Sequence, residues 1–221
     1  FDGPWDERMP KFMWHKNFKV DKSSFESGEP IQVAGISCYT DGSRTESELT
    51  GWGFCARWIH DENMIINERG CLGANATVFQ AEVWAIKQAA ERLNNAPKDS
   101  VFFFVDSQAA LMALDASTAE TGTVQRCVEA LNELGLERNV TLRWVKSHVG
   151  HDLNELADSL AKEGSNGVGP MTTLPLPRTV VKTTVNSYTR HIWKERWREI
   201  VGHRQTKLWY QRPDEGKSNK L

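Results

Sequence analysis

No stretch of the 221-residue chain approaches the roughly 18 to 20 uncharged apolar residues needed to span a bilayer. The N-terminus, Phe1-Asp2-Gly3, has neither an initiator Met nor a signal-peptide pattern. These absences lead us to expect a soluble intracellular protein, of cytoplasm or nucleus, cut from a longer polypeptide. Cysteine is scarce and unpatterned. Cys38, Cys55, Cys71 and Cys127 lie among apolar neighbours without paired metal-ligand spacing, so free buried thiols in a reducing compartment are expected rather than disulfides. No internal repeat is present.

What is present fits one globular domain with extra segments at its ends: 39% hydrophobic and 25% charged residues. The net charge of −2 hides an asymmetry. From Ser165 onward there are 11 Lys/Arg against 4 Asp/Glu, about +7, which leaves 16 against 25 before it, about −9. An acidic body with a basic tail concentrates carboxylates, which is what a site for hard divalent cations requires, since these take oxygen ligands.

Residues 1–30 mix Pro, Gly, Lys and isolated aromatics without a period of 2 or 3.6, which reads as a linker or a lead-in docked on a partner. From Ile31 the run IQVAGISCYT reads as a strand ending at Asp41-Gly42-Ser43, followed by strands in GWGFCARWIH and NMIINERGCLG. Apolar residues at Val78, Ala81, Ala85, Ile86, Ala89 and Leu93 then predict a helix that stops at Asn94-Asn95-Ala96-Pro97. VFFFVD predicts a strand buried on both faces, with a short helix after Ser107 and another over about 123–134. TLRWVKSH gives a fifth strand and DLNELADSLAKEG a helix closed by Gly164. The expected architecture is α/β, a mixed five-stranded sheet flanked by helices. A Gly/Pro-rich linker over 166–178 follows, and then a basic helical tail over 179–221.

Four carboxylates stand out. Asp41 and Asp106 end strands that can be neighbours, and Glu82 and Asp158 sit on the apolar sides of helices, where an acidic group needs a partner. Singly each has a plain reading. Asp41 in TDGS suits a turn, Asp106 a helix cap, and Glu82 and Asp158 an ordinary polar face.

Together, Asp41 in YTDGS, Glu82 in FQAEVWAI, Asp106 in VDSQAAL and the block WVKSHVGHDLNELADSLAKEG resemble the type 1 ribonuclease H domain over residues 31–165. The resemblance implies an endoribonuclease that hydrolyses the RNA strand of an RNA/DNA hybrid to 5′-phosphate and 3′-hydroxyl ends. It also implies that Asp41, Glu82, Asp106 and Asp158 hold two Mg²⁺ ions about 4 Å apart, with Mn²⁺ as a substitute. His148, in the turn before the last helix of the domain, is the implied proton shuttle at the leaving group. Asn154 is read as a hydrogen bonder that fixes that loop, and Glu155 as support for a ligand. Gln108, Gly42 and Ser43 are the implied readers of the RNA strand through its 2′-hydroxyls. Thr77 lies near a DNA-phosphate position of the family, although a Thr before a helix also suits an N-cap.

The sequence departs from many cellular members in one place. Where they carry a basic insertion after the DSQ segment, this chain has only ASTAETG. The grip on the hybrid is therefore expected from the basic tail or from an upstream reverse transcriptase domain. WKERWREIVGHRQTKLWYQRP is similar to the tails of non-LTR retrotransposon reverse transcriptases. The chain alone is expected to be monomeric. A silent binding module of the same fold, or a DNA-cutting transposase-like relative, are the rival readings.

Overall fold

The computed structural model describes residues 6–13, 15–28, 31, 33–46, 49–59, 65–147 and 152–199. The chain divides into two compact units, residues 1–177 and 178–221.

The first unit is built on a six-stranded sheet. Three strands form an antiparallel meander: β3 (Ile36–Arg44), β4 (Thr50–Trp58) and β5 (Ile65–Gly73). On the other side of β3 lie, all parallel, β6 (Val101–Val105), β8 (Val140–Trp144) and β2 (Phe18–Asp21), giving the order β2-β8-β6-β3-β4-β5. The helices are α1 (Ser24–Ser27), α2 (Val78–Leu93), α3 (Gln108–Asp115), α4 (Gly122–Leu134) and α5 (Asp152–Ser165). A second, two-stranded sheet joins β1 (Glu7–Phe12) to β7 (Thr118–Thr121).

Period-2 alternation along the strands divides the interior in two. One core gathers Ile36, Cys38, Phe54 and Phe103 with the apolar faces of α2 and α4; the other gathers Tyr39, Cys55, Phe104 and Val145 with Ala157 and Leu160 of α5. The alanines at 81, 85 and 89 let α2 lie close over β3 and β4. Four buried cysteines are free, as expected.

The sheet has six strands rather than five because the aperiodic lead-in supplies one. β2 is only four residues long, too short to show a period, and is fixed by its pairing with β8 from Phe18↔Val140 to Asp21↔Arg143. β1 in turn pairs with the short segment where the sequence lacks a basic insertion. Asp6 pins this arrangement. Its buried carboxylate accepts from the Thr123 backbone N–H (2.9 Å), the Thr123 hydroxyl and Gln80 Nε2 (2.9 Å). A further difference concerns β3, which does not end at Asp41 but runs on to Arg44, because the β4 ladder continues through Asp41↔Gly53 to Arg44↔Thr50.

The second unit is described through α6 (Arg178–Glu199), of which no residue is buried. Among the described residues no helix is long and apolar enough to cross a membrane.

Candidate active site

β3 and β6 are paired through Thr40↔Val105, so the next residues, Asp41 and Asp106, leave the two strands side by side. Just before them Tyr39 and Phe104 stack at 4.7 Å, which locks the two strands in register on the α5 face. Glu82 comes from the second turn of α2. That approach depends on Gly42, since a Cβ there would lie 2.5 Å from the Glu82 backbone nitrogen and 2.9 Å from the Ala81 Cβ. Asp41, Glu82 and Asp106 thereby each place a carboxylate oxygen within 4.8 Å of the others.

Electrostatics mark the cluster as unfinished. Burial, followed by the charges of Asp106 and Asp158, raises Asp41 to about 7. Burial and then Asp41 and Asp106 push Glu82 well above its ordinary value. The Gly42 backbone N–H offsets the rise in part at both carboxyls. Glu82 Oε2 is buried with no hydrogen-bond partner. A buried carboxylate oxygen without a donor, beside two more carboxylates, is a poor solution for a protein interior and a suitable one for hard divalent cations. The donor set fits such ions.

Asp158 stands at the rim. It is close enough to raise Asp41 but outside the three-residue group, with its Oδ2 accepting from Lys162 Nζ at 2.7 Å. An exposed i,i+4 pair of this kind contributes only about 0.3–0.5 kcal/mol, small against the attraction of a divalent ion, so Lys162 is a replaceable partner. Asp158 reaches this rim because α5 rests on bare backbone: Gly53 faces Asp41 across the β3–β4 pair, and a Cβ there would meet the Ala161 nitrogen at 2.5 Å.

Compared with known proteins, residues 34–166 match the family model described as RNase H. That is more than half of the chain. The chain belongs to the RNase H family. The Ribonuclease H of Chromobacterium violaceum is 31% identical over 149 residues, 60% of this chain and 96% of that protein. The Ribonuclease H of Phenylobacterium zucineum is 33% identical over 143 residues, 58% of this chain and 89% of that protein. The Ribonuclease HI of Caulobacter vibrioides is 30% identical over 149 residues, 61% of this chain and 95% of that protein. These relatives are bacterial ribonucleases H, and the chain is accordingly a ribonuclease H-type hydrolase.

The remaining expected residues of this RNase H domain fall in several places. Gly42 is buried against α2, while Ser43 is half-buried and follows it along β3. Gln108 is exposed as the first residue of α3 and lines a cavity of about 390 Å³ with Lys22, Phe25 and Met112. Thr77 is the N-cap of α2, in a reciprocal box with Gln80: its Oγ1 accepts from the Gln80 N–H at 3.2 Å and its own N–H donates to Gln80 Oε1 at 3.1 Å. Asn154 is buried in the first turn of α5, and Glu155 beside it is exposed. His148 lies outside the described residues.

Three residues at the site lie inside the WVKSHVGHDLNELADSLAKEG block but have no role assigned from the sequence. Ser147 donates its hydroxyl to Asp106 Oδ2 at 2.9 Å, and the Trp144 indole N–H donates to the Asp106 carbonyl at 2.9 Å. Lys162 is the third. Ser147 and Trp144 reach Asp106 only across the folded sheet, whereas Lys162 reaches Asp158 one turn away on α5.

Proposed function

We propose that this RNase H domain cleaves the RNA strand of RNA/DNA hybrids with two Mg²⁺ ions, for which Mn²⁺ can substitute, leaving 5′-phosphate and 3′-hydroxyl ends. The observation that carries this reading is the convergence within 4.8 Å of Asp41 in β3, Asp106 just past β6 and Glu82 of α2, with a donor-less buried oxygen on Glu82. Asp41, Glu82 and Asp106 hold the ions, and Asp158 joins them once it leaves Lys162. Divalent ions bound there supply Lewis-acid activation of water and counter-charge at the scissile phosphate. The chain's own contribution is positioning. Two adjacent strands and a helix fix the anionic donors, Gln108 and Ser43 face the RNA strand, and His148 moves a proton at the leaving 3′ oxygen.

The grip on a polyanion comes from α6, whose six Lys/Arg against two Glu are all outside any core. We read a retroelement reverse transcriptase parent from the likeness of the tail sequence and from the missing basic insertion, while the matched relatives are bacterial ribonucleases H.

The test is cleavage of a labelled hybrid in Mg²⁺ or Mn²⁺, with a matched DNA duplex as control. The native chain is expected to cut only the RNA strand. Asp106→Asn, which replaces a ligand, is expected to lose more activity than the roughly 10–100-fold that outer-shell losses cost. Equal cleavage of the DNA duplex, or full activity in the Asn variant, overturns the reading.

A further inference from the structure

We infer that the lead-in residues 18–28 brace Asp106 in its ligating position through two positioning residues, Trp144 and Ser147; this rests on the assignment of Asp106 to the metal site. The segment precedes the family match, which begins at residue 34, so it is an addition to the shared domain. Without β2, strand β8 would be the sheet edge, and residues 145–147 would leave it with one side unsupported.

The lead-in instead closes around the end of β8 through four residues, Asp21, Ser24, Phe25 and Gly28. Asp21 forms an ion pair with Arg143. The wholly buried Ser24 hydroxyl donates to the Asp21 carbonyl and accepts from the Trp144 backbone N–H at 2.8 Å. The Gly28 carbonyl accepts from the Lys146 N–H at 2.8 Å. Gly28, at φ 63°, lies flush on the indole, where a Cβ would stand 2.6 Å from Trp144 Cζ3. Phe25 packs a ring 6.5 Å from the same indole.

Trp144 held in this way delivers its N–H to the Asp106 carbonyl, and the chain continues directly to Ser147, whose hydroxyl takes Asp106 Oδ2. One contact fixes the backbone of Asp106 and the other its side-chain rotamer. Both oppose the repulsion that Asp41 and Glu82 exert on a third carboxylate. Metal ligation tolerates about 0.5 Å of error, so a brace on both ends of the residue acts on affinity and not only on stability.

The test uses the full chain with Gly28→Val, Trp144→Phe, Ser147→Ala and Ser147→Thr, each studied well below its own thermal midpoint. Mn²⁺ affinity is read by calorimetric titration and hybrid cleavage by kcat and KM. The first three variants are expected to weaken Mn²⁺ binding by about tenfold and to lower kcat with little change in KM. Ser147→Thr, which keeps the hydroxyl, is expected to stay near the native values. If Gly28→Val fails to fold, Trp144→Phe and Ser147→Ala still decide: the first keeps an aromatic side chain but loses the indole N–H donor, and the second removes only the hydroxyl. Native Mn²⁺ affinity in the folded variants, or equal damage from Ala and Thr at 147, overturns the brace. Full activity in Asp106→Asn would instead overturn the site assignment beneath it.

Discussion

Asp41 is 9% exposed, and the charges of Asp106 and Asp158 act on its carboxyl in the same direction as its burial. Its value near 7 in the folded chain lies above its ordinary 3.8, so the folded state holds this proton more tightly than the unfolded chain does. The stabilisation from that proton is complete below about pH 4 and is lost as pH rises through 7; Glu82 shifts in the same direction. Metal-free protein is therefore expected to lose thermal stability between pH 5 and 8. Divalent cation replaces the missing protons, so 10 mM Mg²⁺ is expected to raise the midpoint by about 5 °C or more at pH 8 and by little at pH 5, given about 2–4 °C per kcal/mol for a chain of this size. Calorimetric scans in EDTA and in Mg²⁺ across this range check it. A Mg²⁺ increment that does not grow with pH would mean that the three carboxylates are not the cation site.

At the level of elements, the lead-in depends on Asp6. Its carboxylate ties the start of β1 to the N-terminus of α4 and to Gln80 of α2, whose amide also donates to the Pro175 carbonyl at 3.0 Å. Asp6→Ala leaves the Thr123 N–H and part of the Gln80 amide without their acceptor in a buried place, and is expected to cost about 3 kcal/mol in chemical denaturation. A loss under about 1 kcal/mol would show that β1 contributes little to the fold. This element was illegible in the sequence for a physical reason. Four-residue β2 and the side-chain bonds of Asp6 carry no periodicity, and their partners lie some 74 to 122 residues away. The α2 helix was legible because its apolar spacing and its Thr77–Gln80 box are local. The same contrast divides the site. Asp41 and Asp106 could be read from the strands that deliver them and from motif resemblance, whereas Ser147 and Trp144, though inside the resembling block, show their roles only through hydrogen bonds to Asp106 that the folded sheet creates.

Over the whole molecule, charge is divided between two units: about −9 before Ser165 and about +7 from it onward. A domain whose site concentrates carboxylates repels phosphate until cations bind, and α6 offers exposed Lys182, Arg190, Lys194 and Arg198 where phosphate can be met at no cost in buried charge. Replacing these four with Gln is expected to weaken hybrid binding by about tenfold or more near 50 mM salt. It should also flatten the dependence of log affinity on log salt, by up to about 0.9 for each phosphate that is no longer neutralised, so that the two proteins converge at high salt. Fluorescence anisotropy with a labelled hybrid over a salt series checks both. A constant ratio of affinities across salt would assign the weakening to something other than phosphate binding. Equal affinities throughout would place the grip in the acidic body, where the bound cations themselves would have to supply it.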